Sequence, residues 1–370
     1  MPIYWSMLMV TIVVAFLSYG TKKKSILIDG RIEQRTQYIY ALFTFAYIVF
    51  WVGLRDKVLD TGAYIKMFDS MPVDWEEMLL TVSRAESGKG FFLIQGIFKI
   101  LVSDNHYVWL SFLVIVSCSC LLKILYKYSI DFPLTAYLFV ADAIFTWLLN
   151  GTRQFLVVTI LFAFTDWLIE GKKWRYILLV LVLSTIHTSA IFMAPICVFV
   201  SSEKIFDVRM LLFTILTVVG TIYSEGIFSF IDETLETNYA QSIVEGTGSN
   251  IIRLFVVSIP LIISVVARKV VEKKANKSIK LAINMSFVGV CFYFASTFTD
   301  GILIGRMPIY FTVYNLYLLP WLIHNCFEIR SRKIVWLGCA CAYGLYFYYQ
   351  MEVAWGGLMY VSDILHINFR

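Results

Sequence analysis

Twelve apolar runs divide the chain, and polar and charged residues collect in the stretches between them. The runs lie near residues 3–19, 37–54, 107–124, 132–149, 153–170, 175–187, 189–201, 209–223, 251–267, 281–298, 307–323 and 334–349. Their length and apolar density predict transmembrane helices, so the expected fold is an all-α polytopic integral membrane protein. About twelve spans would form a single helical domain over residues 1–370. A further apolar stretch, Phe91 to Val102, is too short to cross and predicts a re-entrant or interfacial helix at 91–102. It lies in an outer loop, 55–106, that also holds an amphipathic piece from Asp74 to Arg84. A second outer loop, 224–250, is acidic and polar. An ordinary solvated loop and a lid over an outward-facing cavity are both open readings of it.

Composition supports the membrane assignment. Hydrophobic residues make up 59% of the 370 positions, charged ones only 15%, and the mean hydropathy is +0.75. Such a chain is neither a soluble globular domain nor a disordered one. The formal charge of +5 does not signal nucleic-acid binding, because the basic residues form short clusters between spans. Alternating the twelve runs puts 21 of the 31 Lys and Arg on one side, which is therefore expected to be the cytoplasm. The first run has no basic residue before it and Lys22, Lys23 and Lys24 after it, the reverse of a signal peptide, so an anchor with its N-terminus outside is expected. Tyr176 to Ser201 is read as two short helices meeting at His187, since one long helix would reverse every later basic cluster. The seven cysteines lie mostly inside apolar runs and have no His at metal-ligand spacing, so neither a disulfide framework nor a structural metal is expected.

The candidate chemistry gathers at the outer boundary. Asn150-Gly151-Thr152-Arg153-Gln154 is a polar pentapeptide wedged between two apolar runs. Asn150 is a good N-cap, and the helix it would open offers free N–H groups and a positive dipole end beside Arg153, together an anion site. The competing reading is an arginine that snorkels to the interface. Arg55, Asp60, Glu86, His187, Asp300 and Arg306 are expected at the same depth, from segments remote in sequence. Several cations at an outer boundary run against the positive-inside tendency and call for an anionic partner, scattered snorkelling being the alternative. Ser189 stands two positions from His187 and would not face it within one helix, so a Ser–His pair is not expected. Asp142, inside a span, is read as a structural partner for a polar group.

Several of these motifs together resemble a known family. Gly53-Leu54-Arg55, Asp60-Thr61 with Tyr64, Glu86 with Gly90-Phe91-Phe92, the Asn150–Gln154 pentapeptide, His187-Thr188-Ser189-Ala190, and Arg306 with Tyr310-Phe311 are similar to the EpsG family of Wzy-like exopolysaccharide and capsule polymerases. The resemblance covers about the first two hundred residues well and the Arg306 region more loosely. This chain departs from the pattern at Val58, at Asp56 directly after the arginine, and at Ser87-Gly88-Lys89, which lengthens the spacing after Glu86.

The resemblance implies a membrane glycosyltransferase that joins oligosaccharide repeat units carried on undecaprenyl diphosphate, at the outer face of a bacterial cytoplasmic membrane. Its partners would be the lipid-linked donor and acceptor, membrane lipids, and a chain-length regulator and flippase of the same pathway. For that chemistry Arg153, Arg55 and Arg306 are the expected diphosphate-binding cations. His187, Glu86 and Asp60 are the candidate bases in that order, supported by Asn150, Gln154 and Tyr64. No cofactor and no metal are expected, since the diphosphate already activates the donor and no Asp-x-Asp cluster faces outside. A glycan ligase, a flippase or transporter for an anionic lipid-linked saccharide, and a non-catalytic membrane subunit are the alternatives. The scarcity of charge at the midplane, Asp142 apart, weighs against transport.

Overall fold

The computed structural model describes residues 1–28, 31–200, 202–226, 229, 248–299, 301 and 304–369, without the side chains of 26–33. Helix α1 (Pro2–Tyr19) leads through a hairpin of β1 (Lys24–Ile28) and β2 (Arg31–Arg35) into α2 (Tyr38–Gly53). Three short helices, α3 (Thr61–Asp69), α4 (Trp75–Arg84) and α5 (Lys89–Leu101), fill the expected outer loop before the long α6 (His106–Tyr128). Helix α7 (Phe132–Ala141) is followed by a 3-10 turn at Ile144–Leu148, then α8 (Thr152–Ala163), α9 (Thr165–Ile169) and α10 (Lys173–Ser184). A second 3-10 turn, Thr188–Phe192, precedes α11 (Met193–Phe199) and α12 (Val208–Ile222). Next come α13 (Ile251–Val266), α14 (Arg268–Lys274), α15 (Lys277–Thr297), α16 (Ile309–Thr312), α17 (Asn315–Cys326) and α18 (Ile329–Tyr348). A hairpin of β3 (Tyr360–Ser362) and β4 (Ile367–Phe369) follows α18.

Every expected run is helical, yet twelve unbroken spans do not form. Among the described residues α1, α6 and α15 are long and apolar enough to cross a membrane, and α13 with α14 adds a fourth if that pair, bent by 80°, is one span. The other runs are shorter or interrupted, for reasons visible in the backbone. The 132–149 run breaks because Ala143 turns left-handed, with φ 55°, directly after Asp142 closes α7. The 153–170 run breaks at Phe164, and 189–201 begins as a 3-10 turn. The result is an all-α membrane architecture assembled largely from helices shorter than a bilayer is thick. The hairpins β1–β2 and β3–β4, absent from the sequence expectation, join it at the ends of helices.

The chain forms two units. The first comprises Met1–Thr165, Trp174–Phe192 and Ile329–Arg370. Its helices α4 and α6 have local reasons to start where they do: the Asp74 carboxylate accepts the Glu76 and Glu77 N–H groups at 2.9 and 3.1 Å, and Asn105 accepts that of Tyr107 at 2.8 Å. Helices α3 and α5 pack around Trp109 of α6, which is fully buried. Phe68 stacks on it at 5.7 Å between centroids, and Phe91 and Phe98 of α5 lie at 5.8 and 5.0 Å. Leu93, Ile94, Ile97 and Leu101 on the rest of α5 are exposed.

The β3–β4 hairpin straps the chain between α2 and α3. Val361 pairs with Lys57 and accepts the Asp56 N–H at 2.8 Å, while the Asp363 N–H donates to Asp56 Oδ2 at 2.6 Å. The Tyr360 hydroxyl donates to the Trp51 carbonyl at 2.8 Å. Tyr107 of α6 donates to the same Asp56 carboxylate at 2.8 Å.

The second unit comprises Asp166–Lys173 and Met193–Glu328. Within it α15 is the central helix, packed by α12, α13, α16 and α17. Its polar core positions are tied to loops and neighbours. Asn284 Nδ2 donates to the Lys204 carbonyl at 2.8 Å, and Asn315 Nδ2 to that of Val257 at 3.4 Å. At the far end of α15, Ser249 docks through its N–H on Ser296 O at 2.9 Å and accepts the Ser296 hydroxyl at 2.8 Å.

Candidate functional site

Helix α8 sets the geometry. Its N-cap is Gly151, not Asn150, and no side chain of its own caps it. The 3-10 turn before it engages the Asn150 N–H with the Thr146 carbonyl at 2.9 Å, so the chain reaches the helix already turning instead of extended. Gly151 then adopts φ 75°, a left-handed conformation that glycine tolerates without strain.

Two N–H groups at this terminus are already engaged. Asp60 Oδ2 accepts the Gly151 N–H at 3.0 Å, and the Tyr64 hydroxyl accepts that of Arg153 at 3.3 Å. A carboxylate at a helix N-terminus is favourably placed on the dipole. One acceptor at the α8 terminus is thus a carboxylate of the protein itself, from a residue expected to be a base. Burial, and then the Asp60 charge, push the Tyr64 phenol above its ordinary range, with Arg153 opposing.

Arg55 lies at the base of this arrangement and is fully buried. Its NH1 donates to the Val52 carbonyl at 2.6 Å, its Nε to Thr61 Oγ1 at 2.8 Å, and its NH2 to Thr152 Oγ1 at 3.3 Å. It therefore ties the end of α2 to the starts of α3 and α8. Burial brings its pKa down to about 10, with Asp60 the first of the groups that oppose the shift. Its charge is felt through Asp60 and the α8 terminus, since its own nitrogens are spent on the scaffold.

Arg153 is the outward-facing cation of the pair. It is half-buried, with its guanidinium carbon 5.6 Å above the Phe91 ring, and Nε makes no hydrogen bond. A Cβ at Gly88 would stand 2.9 Å from Arg153 NH1 and 3.3 Å from the Ile186 carbonyl, and Gly88 has φ 71°. A side chain there would be strained by the left-handed backbone and would crowd the guanidinium, so the loop that lengthens the spacing after Glu86 lies directly against Arg153. Glu86 itself is exposed on that loop.

The 185–189 turn comes to the same place. The Gly90 N–H donates to the Thr185 carbonyl at 2.9 Å, which sets Ile186 and His187 beside the Gly88 loop. His187 Nδ1 and Ser189 Oγ are 2.8 Å apart. This overturns the expectation that the two would not meet. The reason is that α10 ends at Ser184 and His187 stands just before the 3-10 turn that begins at Thr188, so the two residues do not share one α-helix.

One unit thus brings together Arg55, Asp60, Tyr64, Arg153 and the 186–189 turn, with Asn150 and the buried Gln154 on either side of Arg153 in the chain. Arg306 belongs to the second unit, exposed on the turn ahead of α16, while Asp300 lies outside the described residues. The sequence names Gly88 only as a departure in spacing and Ser189 only as a residue set aside, and it does not single out the strap residue Tyr360 or Arg253, whose guanidinium carbon lies 5.5 Å above the Tyr293 ring in the second unit. The displaced Ser87-Gly88-Lys89 spacing was the available signal for the first; the strap had none.

A family model described as the EpsG family matches residues 38–357, well over half of the chain. No curated protein and no solved structure matches it.

Proposed function

Since this chain belongs to the EpsG family, we propose that it is a polysaccharide polymerase that joins undecaprenyl-diphosphate-linked oligosaccharide repeat units at the outer face of the cytoplasmic membrane. In the transfer, an acceptor sugar hydroxyl attacks the anomeric carbon of the donor glycan. The new glycosidic C–O bond forms as the bond from that carbon to the lipid diphosphate breaks. The diphosphate leaves with the electron pair, and the hydroxyl proton passes to a protein base. Stabilising the departing charge is the demanding step, and fixed guanidinium donors suit it.

The observation that carries the reading is the placement of Arg153. Its guanidinium sits at the mouth of the Gly88 loop, half-exposed, over an aromatic ring and next to the turn that bears His187. We assign it direct contact with the leaving diphosphate. Arg55 supplies field from beneath. His187 leads as the base, its Nδ1 2.8 Å from Ser189 Oγ; in the tautomer that donates Nδ1–H to the serine, Nε2 would be the nitrogen that takes the proton. Glu86 comes next, exposed and near in sequence to Gly88. Asp60 is third, because accepting a proton competes with its role on the Gly151 N–H.

The test is turnover by membranes containing the wild-type chain, supplied with lipid-linked repeat units. A ladder of glycans growing by whole repeats, with undecaprenyl diphosphate released in proportion, supports the proposal. Transfer of finished glycan to a different acceptor without a ladder would identify a ligase instead.

A further inference from the structure

Three lysines in succession, Lys22, Lys23 and Lys24, follow the end of α1, and the chain comes back beside them through the β1–β2 hairpin. Gln37 closes the return, its Nε2 donating to the Lys22 carbonyl at 3.1 Å. Between them lies an open cleft of about 410 Å³ lined by Lys22, Lys23, Lys24, Gln37, Tyr38 and Ile39. That volume lies within the range of clefts that hold small ligands. All three lysines are exposed, and none forms an ion pair among the described residues. Asp131, on the loop before α7, accepts the Tyr19 hydroxyl at 2.8 Å and Trp336 Nε1 at 2.9 Å, so its carboxylate is already engaged. From Lys22 to Arg35 the sequence holds five basic residues against two acidic ones.

One lining residue, Ile39, is apolar and exposed, and further exposed apolar residues flank the cleft in sequence. Phe16 and Leu17 on the last turn of α1, and Ile39, Leu42 and Phe43 on α2, are exposed, and α1 is long and apolar enough to span. A ligand that fits both parts has a phosphate at one end and aliphatic chains at the other. We propose that this cleft is a binding site for an anionic phospholipid, its phosphodiester headgroup among the three lysines and its acyl chains along α1 and α2. Topology signalling accounts for basic residues after a span. It does not account for a cleft closed by Gln37 and walled by Tyr38 and Ile39.

The full chain, purified in neutral detergent, is titrated with phosphatidylglycerol, phosphatidylcholine and inorganic phosphate, and bound lipid is counted by native mass spectrometry. Phosphatidylglycerol is expected to be retained with preference over phosphatidylcholine. Its apparent affinity should fall roughly fivefold for each lysine replaced, up to the triple variant carrying Lys22→Gln, Lys23→Gln and Lys24→Gln together, and should weaken with salt. A control carrying Lys273→Gln, Lys274→Gln and Lys277→Gln should keep it. Equal loss in the two triple variants means diffuse attraction and overturns the proposal, as does equal retention of both lipids. Protection by inorganic phosphate alone, with no lipid retained, makes the ligand a free anion and also overturns it. If the Lys22–Lys24 triple variant does not fold, the wild-type chain decides: a photoactivatable phosphatidylglycerol should cross-link within residues 16–39, and labelling elsewhere only would refute the site.

Discussion

The Asp60 carboxylate accepts the Gly151 N–H at 3.0 Å across 91 residues of sequence, so the start of α8 is capped by the loop that precedes α3. That contact fixes the start of the helix that carries Arg153. Asp60 and Tyr64 hold consecutive parts of the α8 first turn, and Arg55 holds the segment from which both extend.

Replacing Asp60 separates its cap from its charge. Asp60→Asn keeps an acceptor for Gly151, whereas Asp60→Ala removes it, so the alanine variant should be less stable than the asparagine one by about 1–2 kcal/mol. Thermal denaturation of the purified variants measures the difference. Equal stabilities would mean that the contact does not hold α8.

Gly88 should be intolerant of any side chain. Gly88→Ala meets the Arg153 guanidinium and forces a left-handed backbone on alanine, the latter costing roughly 1–2 kcal/mol. Gly88→Asn relieves part of the backbone cost but keeps the Cβ. Both variants should insert normally and lose long polymer. Recovery of polymer in Gly88→Asn alone would assign the effect to backbone strain and not to Arg153.

Arg55 should set an alkaline limit. Its pKa stands at about 10 in the folded protein, so it keeps its charge from neutral pH upward and loses it as pH passes about 10. Turnover by membranes should be independent of this group below that limb and fall through it. Arg55→Lys substitutes a cation of ordinary pKa about 10.4, which the same burial lowers further, so the limb should move down in pH. An unmoved limb would place the titration elsewhere.

The strap and the Arg55 segment should behave as one structural element. Asp56→Ala removes the acceptor of the Asp363 N–H and the Tyr107 hydroxyl, and truncation after Gly357 removes the strap itself. Their losses in thermal stability should be markedly less than additive when combined. Additive losses would show that Asp56 and the hairpin act independently.

How much of this could be read from sequence follows from what each feature depends on. The apolar runs depend on local composition, and all twelve positions proved helical. Their breaks do not: Ala143 turns left-handed for reasons no pattern of apolar residues encodes. Arg153, Tyr64 and the 186–189 turn were legible because their residue types stand out between apolar runs, and the structure brings them into one unit. The partner of the α8 terminus was not legible. Asn150 satisfies the local rule for an N-cap, yet a carboxylate from a distant loop took the place beside Gly151. Ser189 was set aside by the spacing of one α-helix, which it does not share with His187. The strap pairs Val361 with Lys57 across the length of the chain, beyond the reach of any periodicity.

The central claim rests on Arg153 in a polymerase. The most direct measurement is the glycan length profile of host cells carrying the wild-type chain, Arg153→Ala, or a deletion, with membrane insertion of the variant verified. The account predicts that both lesions collapse long polymer to single repeat units while lipid-linked units persist on the outer face. Long polymer surviving in both would contradict it.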